Sequence, residues 1–498
     1  MRSPAEIRAG SWRPGLACLV MAASALSAGA SPEPARIGPE AAPACPPDAR
    51  LVPPAESIAA AAASAEPGDA FCLGRGVHRL QAVLPKTGQR FFGERGSVLS
   101  GARLVTEFVR RGDSWVIPDV KAATIERGIC LGGGTLCRFP LGVFLDDTPL
   151  RRVGRMAELR AGAFFLDPAR HEVLLADDPT GRTVEVSVEN FAFTGQAPDV
   201  RIVGLTIEKY FSPPQDGALN ALGSGWRIEN SEFRLNGGAG VSISTDGVVR
   251  DCRIHSNGQL GATGEGHNLL FENNHVSNNN IYGFDPSWEA GGIKITETRN
   301  IVFRSNLVTG NAGPGLWCDE QCLDATYEGN LVEFNAGAGI FFELSMGAQI
   351  RDNRLNQNGQ AKPSWYWGSD IQIAASENAL IERNTITVRP GGTAIAFIDQ
   401  NRRRSDGSYY RTQGNRALRN QIILRGEGKA GGVSDAEAGE ANYGIIERGG
   451  NVFDENVYRV KPGIRPRFVW GRTETDFAGF RQRGQEPRGS VVTDRSID

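Results

Sequence analysis

Five short segments alternate apolar and polar residues with period two: GVSIS (240–244), GIKIT (292–296), GLWCD (315–319), GIFFE (339–343) and DIQIA (370–374). Period two is the signature of an extended strand with one face buried. An Asn-containing turn precedes the segments. Asn236, Asn257, Asn279, Asn311, Asn335 and Asn358 recur at intervals of 21, 22, 32, 24 and 23 residues. A second column, Asn274, Asn306, Asn330 and Asn353, stands five residues upstream of four of them, with Cys252 in the slot before. One strand-turn-strand unit per copy at this period predicts a solenoid. The expected class is all-β, a right-handed parallel β-helix of three short strands per rung. Equivalent residues then stack at about 4.8 Å, and Asn suits the turn because its amide bonds to backbone and to the Asn above and below. The LxxLxL pattern of a leucine-rich horseshoe is absent.

In each aligned strand, positions two and four face inward, and they are Val, Ile, Leu or Phe except for Cys318. The inward Cys318 sulfur must reach Cys322 just beyond the strand, which leaves the phase there open to a one-residue slip. Positions three and five face out. They form one column of Ser242, Lys294, Trp317, Phe341 and Gln372 and another of Ser244, Thr296, Asp319, Glu343 and Ala374. Two intervals are longer than a rung needs, and their surplus, IYGFDPSWE (281–289) and AKPSWYWGS (361–369), is predicted to project from the coil. SIAAAAASAEPGDAFCL (57–73) reads as a short helix capping the open N-terminal end. The predicted organisation is a signal peptide over 1–30, a Pro/Ala-rich linker over 31–55, cap and first rungs over 56–105, an inserted β-rich subdomain over 106–198, the β-helix over 199–460, and a C-terminal extension over 461–498.

The signal peptide rests on Arg2, Arg8 and Arg13, the apolar stretch GLACLVMAASALSAGA and the small-residue end Ala28-Gly29-Ala30, followed by Pro32, Pro34 and Pro39. Secreted or periplasmic location follows as an expectation. Without residues 1–30, the 54 basic and 57 acidic residues become 51 and 56, which excludes a nucleic-acid binder driven by charge. No apolar run of 18 residues lies beyond the N-terminus, so no membrane partner is expected. In an oxidising compartment Cys130 with Cys137, Cys318 with Cys322, and Cys45 with Cys72 are the expected disulfides, leaving Cys252 as a buried thiol. Metal spacing is lacking at CxxxC (318–322). Asp285, Glu289, Asp319, Glu320 and Asp324 could supply oxygens to calcium, though no ligand spacing demands it, so no cofactor is required.

The rungs over 200–460 and the Ala-rich helix resemble the pectate-lyase-like superfamily of right-handed parallel β-helix proteins, whose members include lyases, epimerases, glycosidases and adhesins. GLWCDEQC, GNLV and GIFFELSMGAQIRDN are similar to the WxD and FxExS spacing of β-xylosidase-type glycoside hydrolases built on a β-helix with an inserted β-sandwich. That resemblance implies Asp319 as nucleophile and Glu343 as acid/base. From the residues alone, two carboxylates one rung apart suit a retaining pair, and their mutual repulsion should drive their pKa values apart. Trp288, Glu289, Trp317, Phe341, Trp365, Tyr366, Trp367 and Gln372 are the expected sugar-binding surface. The expected partner is a polysaccharide or oligosaccharide, and the expected activity is retaining hydrolysis. A uronate lyase or epimerase is the alternative, using Lys294 and the basic stretch NRRRSDGSYYRTQ (401–413); a non-catalytic glycan binder is the third.

Overall fold

The structure, a computed structural model, describes residues 37–120, 127–139, 141–361, 366–439 and 444–497. The expected signal peptide and Trp365 lie outside the described residues. The chain winds as a parallel β-helix with three faces. One face carries the strands Ala239–Ile243, Leu260–His267, Gly291–Arg299, Leu316–Asp319, Ile340–Glu343 and Ile371–Ala374, each in parallel register with the next. A second runs through Leu323–Glu328 and Met346–Arg351. The third is a sheet of thirteen parallel strands from Gly76–Arg79 to Ser490–Thr493. Inside, Val, Ile, Leu and Phe side chains from all three faces form one continuous core, with Phe271, Phe303 and Tyr327 stacked rung on rung at 5.7 and 4.9 Å.

Both Asn columns line up at the two turns flanking the third face. Each side chain donates from Nδ2 to the Oδ1 of the next: Asn274 to Asn306 at 3.0 Å, Asn306 to Asn330 at 3.0 Å, Asn330 to Asn353 at 2.9 Å. The column runs on through Asn384, Asn420 and Asn456 and closes on Glu486. The parallel column from Asn236 to Asn358 closes on Asp370, whose Oδ1 accepts from Asn358 N at 3.0 Å and Nδ2 at 2.8 Å. The left-handed backbone of these turns belongs to the residue before the Asn, as at Asn273, Ser305, Gly329 and Asp352 with φ of 53 to 64°. The Asn is there for its hydrogen bonds.

Ser57 caps the N-terminal helix Ile58–Ser64 by accepting from Ala60 N, and Ile58, Ala61 and Ala62 close the first rung. At the other end the stretch read from sequence as an extension supplies real rungs: Arg467–Trp470 and Ser490–Thr493 pair in parallel with Lys429–Ser434 and Val457–Val460. Helix Phe477–Gln482 covers them through Phe480, stacked on Phe468 at 4.4 Å. Between residues 102 and 187 the chain leaves the coil and forms a four-stranded and a five-stranded sheet around a hydrophobic cluster of their own. The buried Lys209 on the coil ties them down by pairing with Glu185 and with Asp147 at 2.5 Å. Disulfides link Cys45 to Cys72, Cys130 to Cys137 and Cys318 to Cys322, and Cys252 is a buried free thiol. No helix among the described residues is long and apolar enough to cross a membrane.

Candidate functional site

The outward column on the first face is Ser242, Thr263, Lys294, Trp317, Phe341, Gln372 and Ala396 in unbroken register. Thr263 belongs to a rung that sequence alignment passed over, because Leu260–His267 reads LGATGEGH and its glycines hide the alternation. Cys318 does not shift the phase: it pairs with Ile295 and Phe342, points into the core, and meets Cys322 across a turn formed by Glu320 and Gln321 at φ of 47 and 71°. Asp319 therefore stays outward beside Thr296, as does Glu343 beside Ala374.

The two acids meet different surroundings. Asp319 Oδ1 accepts from Glu320 N at 2.8 Å and Oδ2 lies 3.0 Å from Lys294 Nζ. Lys294 is buried, stands 4.0 Å above the Trp317 ring, pairs with Glu289 Oε1 at 3.3 Å, and donates to Trp288 O at 3.4 Å. Behind it, Gln215 Nε2 donates to Glu289, while Gln259 Nε2 donates to Glu289 O at 2.6 Å. Glu343 has weaker help: Arg402 at 3.6 Å and a side-chain bond from Gln400. Burial, and then the nearby Asp319 charge, push its carboxyl up to about 7. The same two causes raise Glu320.

The projecting segment 281–289 is held in place by the inserted region. Asp285 N donates to Ile129 O at 2.8 Å, Leu131 N donates to Gly283 O at 2.9 Å, and Phe284 bridges Cys130. Trp288 packs its ring with Phe284 and the Cys130–Cys137 disulfide, so its contribution at the cleft is its carbonyl. The aromatic residues are less open than expected. Trp317 is 3% and Phe341 7% exposed, stacked on each other at 5.1 Å, with Trp367 edge-on to Phe341 at 6.2 Å. Tyr366, expected at the sugar surface, is buried and donates to Ile395 O at 3.1 Å, which makes it an anchor for the segment that presents Trp367. Gln372 Oε1 accepts from Gly368 N at 2.8 Å and fastens the same segment.

Two cavities flank the acids. One, of about 330 Å³, is polar and lined by Arg127, Asp216, Glu265, Glu289, Lys294 and Glu320. The other, of about 430 Å³, is mostly apolar and holds Pro286, Pro314, Ala338, Phe341 and Trp367, with Glu343 at its wall. Gln215, Gln259 and Gln400 escaped sequence reasoning because they come from turns outside the repeating positions, while Arg402, expected within the basic stretch 401–413 as a cation for a uronate, stands beside Glu343. The expected calcium oxygens are dispersed: Asp285 caps Ser287, Asp324 pairs with Arg299, and the Lys294 ammonium already stands between Glu289 and Asp319. No three His, Cys, Asp or Glu among the described residues are grouped to hold a metal.

A family model described as right handed beta helix region matches residues 217–386. No curated protein matches the sequence. Among solved structures, XylC in complex with xylose aligns over 89% of this chain and 83% of its own, at 16% identity and a TM-score of 0.59. This is a likeness of fold. A glycoside hydrolase (TM-score 0.41, 11% identity, 86% of this chain and 89% of that one) and the A-module of the Azotobacter vinelandii mannuronan C-5 epimerase AlgE6 (0.47, 14%, 87% and 92%) align more loosely and bear on nothing further.

Proposed function

We propose that this right-handed β-helix protein is an exported, carbohydrate-active enzyme, a retaining glycoside hydrolase with Asp319 as nucleophile and Glu343 as acid/base. The observation that carries it is the contrast between the two acids. Asp319 lies 3.0 Å from the Lys294 ammonium, whereas burial and then the Asp319 charge push the Glu343 carboxyl up to about 7. In the first step Glu343 gives its proton to the glycosidic oxygen as the C–O bond breaks and an Asp319 oxygen bonds to the anomeric carbon. Glu343, now ionised beside Arg402, takes a proton from water as that water displaces Asp319, so two inversions leave the configuration retained.

Charge argues for a neutral sugar. Asp216, Glu265, Glu289 and Glu320 outnumber Arg127 and Lys294 around the polar cavity, and Lys294 is already matched by two carboxylates. A uronate would meet repulsion there, which weighs against the lyase and epimerase alternative. Its other cations are also engaged: Arg404 pairs with Glu377, Arg403 lies over Tyr409 and Arg402 faces Glu343. A neutral sugar fits the fold likeness to XylC, a protein solved in complex with xylose, and three disulfides fit an oxidising compartment. The test is a panel of neutral and uronate glycosides and polysaccharides, with products followed by NMR. Reducing sugar of retained configuration is the expected result; unsaturated uronate or inverted product would overturn the assignment.

A further inference from the structure

We infer that the apolar cavity beside Glu343 receives an aromatic aglycone, so that the preferred substrates are aryl or arylalkyl glycosides of a neutral sugar; this rests on the glycosidase reading above. A general acid must reach the glycosidic oxygen, so the leaving group lies on the acid's side of the cleft. Glu343 lines the apolar cavity, whereas Lys294 and Glu289, the partners that gather around Asp319, line the polar one. The sugar being transferred thus sits among carboxylates and amides that can bond its hydroxyls, and the departing group sits against Phe341, Trp367, Pro286, Pro314 and Ala338.

The polar groups on the leaving side are few and mostly engaged, with Gln400 Oε1 the buried acceptor left over. Gln372 Oε1 accepts from Gly368 N, and Gln400 and Arg402 both serve Glu343. A second sugar there would bury hydroxyls with few partners, each a net loss, while a flat apolar ring would lose nothing and gain stacking on Phe341 and Trp367. The volume of about 430 Å³ admits one substituted ring. Specificity for the leaving group would come from what the cavity cannot solvate.

The test compares benzyl and methyl glycosides of the sugar found by the panel, since benzyl alcohol and methanol have nearly equal acidity and leave equally well. The expected wild-type preference for benzyl in kcat/KM is at least about tenfold, a value in the range for one aromatic stacking site. Trp367→Ala should shrink that ratio at least about fivefold, and Ala336→Trp, which fills the cavity from its rim, should shrink it without opening a void. A wild-type ratio within about twofold, or a ratio unchanged by both variants, overturns the inference. Saturation-transfer NMR with benzyl alcohol separates the two levels of the proposal. Saturation that Trp367→Ala abolishes, in a protein that cleaves no glycoside, keeps the aromatic cavity and discards the hydrolase; cleavage without saturation or preference does the reverse.

Discussion

The Asn columns and the Lys294–Trp317–Phe341–Gln372 column are built by the same stacking of rungs, yet they use it in opposite ways. In the Asn columns every rung presents the same amide, each bonded to the next at 2.9–3.0 Å, and the side chains are buried. On the first face every rung presents a different group, so a cation, an indole, a phenyl ring and an amide are placed side by side by backbone register alone. Repetition marks what holds the coil together; its interruption marks where chemistry is placed. Both regions contain a carboxyl raised to about 7 by burial, Asp370 and Glu343. Asp370 closes an Asn column and accepts two bonds from Asn358, whereas Glu343 opens onto a cavity beside a second acid. A perturbed carboxyl is therefore informative only with its neighbours.

The largest expected effect is on the varied column. Asp319→Ala should lower kcat by about 10⁴-fold or more on every glycoside, because no covalent intermediate forms. Glu343→Ala should slow substrates with poor leaving groups far more than activated aryl glycosides, and azide should restore turnover on the latter as a glycosyl azide of retained configuration. Both variants should melt close to wild type. Wild-type turnover by either would remove these residues from the mechanism.

Asn330→Ala should show the reverse. It leaves Asn306 N without its acceptor, takes one of two bonds from Asn306 Nδ2, which keeps Phe271 O, and removes the side-chain donor to Phe303 O, while Asn353 Oδ1 keeps its bond from the backbone N of residue 330. At about 1–3 kcal/mol for each buried group left unpaired, partly relieved by water, a loss on the order of 3 kcal/mol in urea unfolding is expected, with kcat per folded molecule unchanged. A fall in kcat at full folding would mean that the two columns are not independent.

The same contrast explains what was legible in the sequence. Both Asn columns could be found because identical residues recur, and the class of fold followed from them. Asp319 and Glu343 could be placed on one side because period two survives in GLWCD and GIFFE. Thr263 was missed where glycine erased the period. Exposure of Trp317 and Phe341 was overstated because Tyr366 and Trp367 arrive from a segment whose path no local pattern fixes. Gln215, Gln259 and Arg402 reach the acids from turns, where the sequence carries no register. The C-terminal rungs were hidden by a helix inserted between their strands.

A smaller effect concerns Asp370. Its folded carboxyl titrates near 7 and its ordinary value is 3.8, so between these pH values the native state keeps a proton that the unfolded chain has released. Stability then falls as pH rises through that window. Asp370→Asn keeps the acceptor oxygen and cannot ionise, so relative to wild type it should gain stability steadily from pH about 4 to about 7 and no more above. Glu343 and Asp399, raised to about 7 and about 6, act in the same direction in both proteins and cancel in the difference. Parallel stability curves for the two proteins would show that Asp370 is ionised in the native state.

The smallest effect tests whether Glu343 sets the pH dependence of the varied column. Activity requires the protonated acid, so kcat/KM should decline above about 7. Arg402 is the nearest cation to Glu343 and opposes the effect of burial. Removing it in Arg402→Met should raise the Glu343 carboxyl further and move the basic limb to higher pH. The shift should be modest, about half a unit, because the pair is 3.6 Å apart and the Arg402 side chain is 48% exposed, where water screens the charge. Asp370→Asn, in the repeated column, should leave the limb in place. If Arg402→Met moves the limb downward, or Asp370→Asn moves it at all, then the group that titrates near 7 in catalysis is not Glu343, and the separation of structural from functional carboxyl groups fails at the pair that most resembles each other.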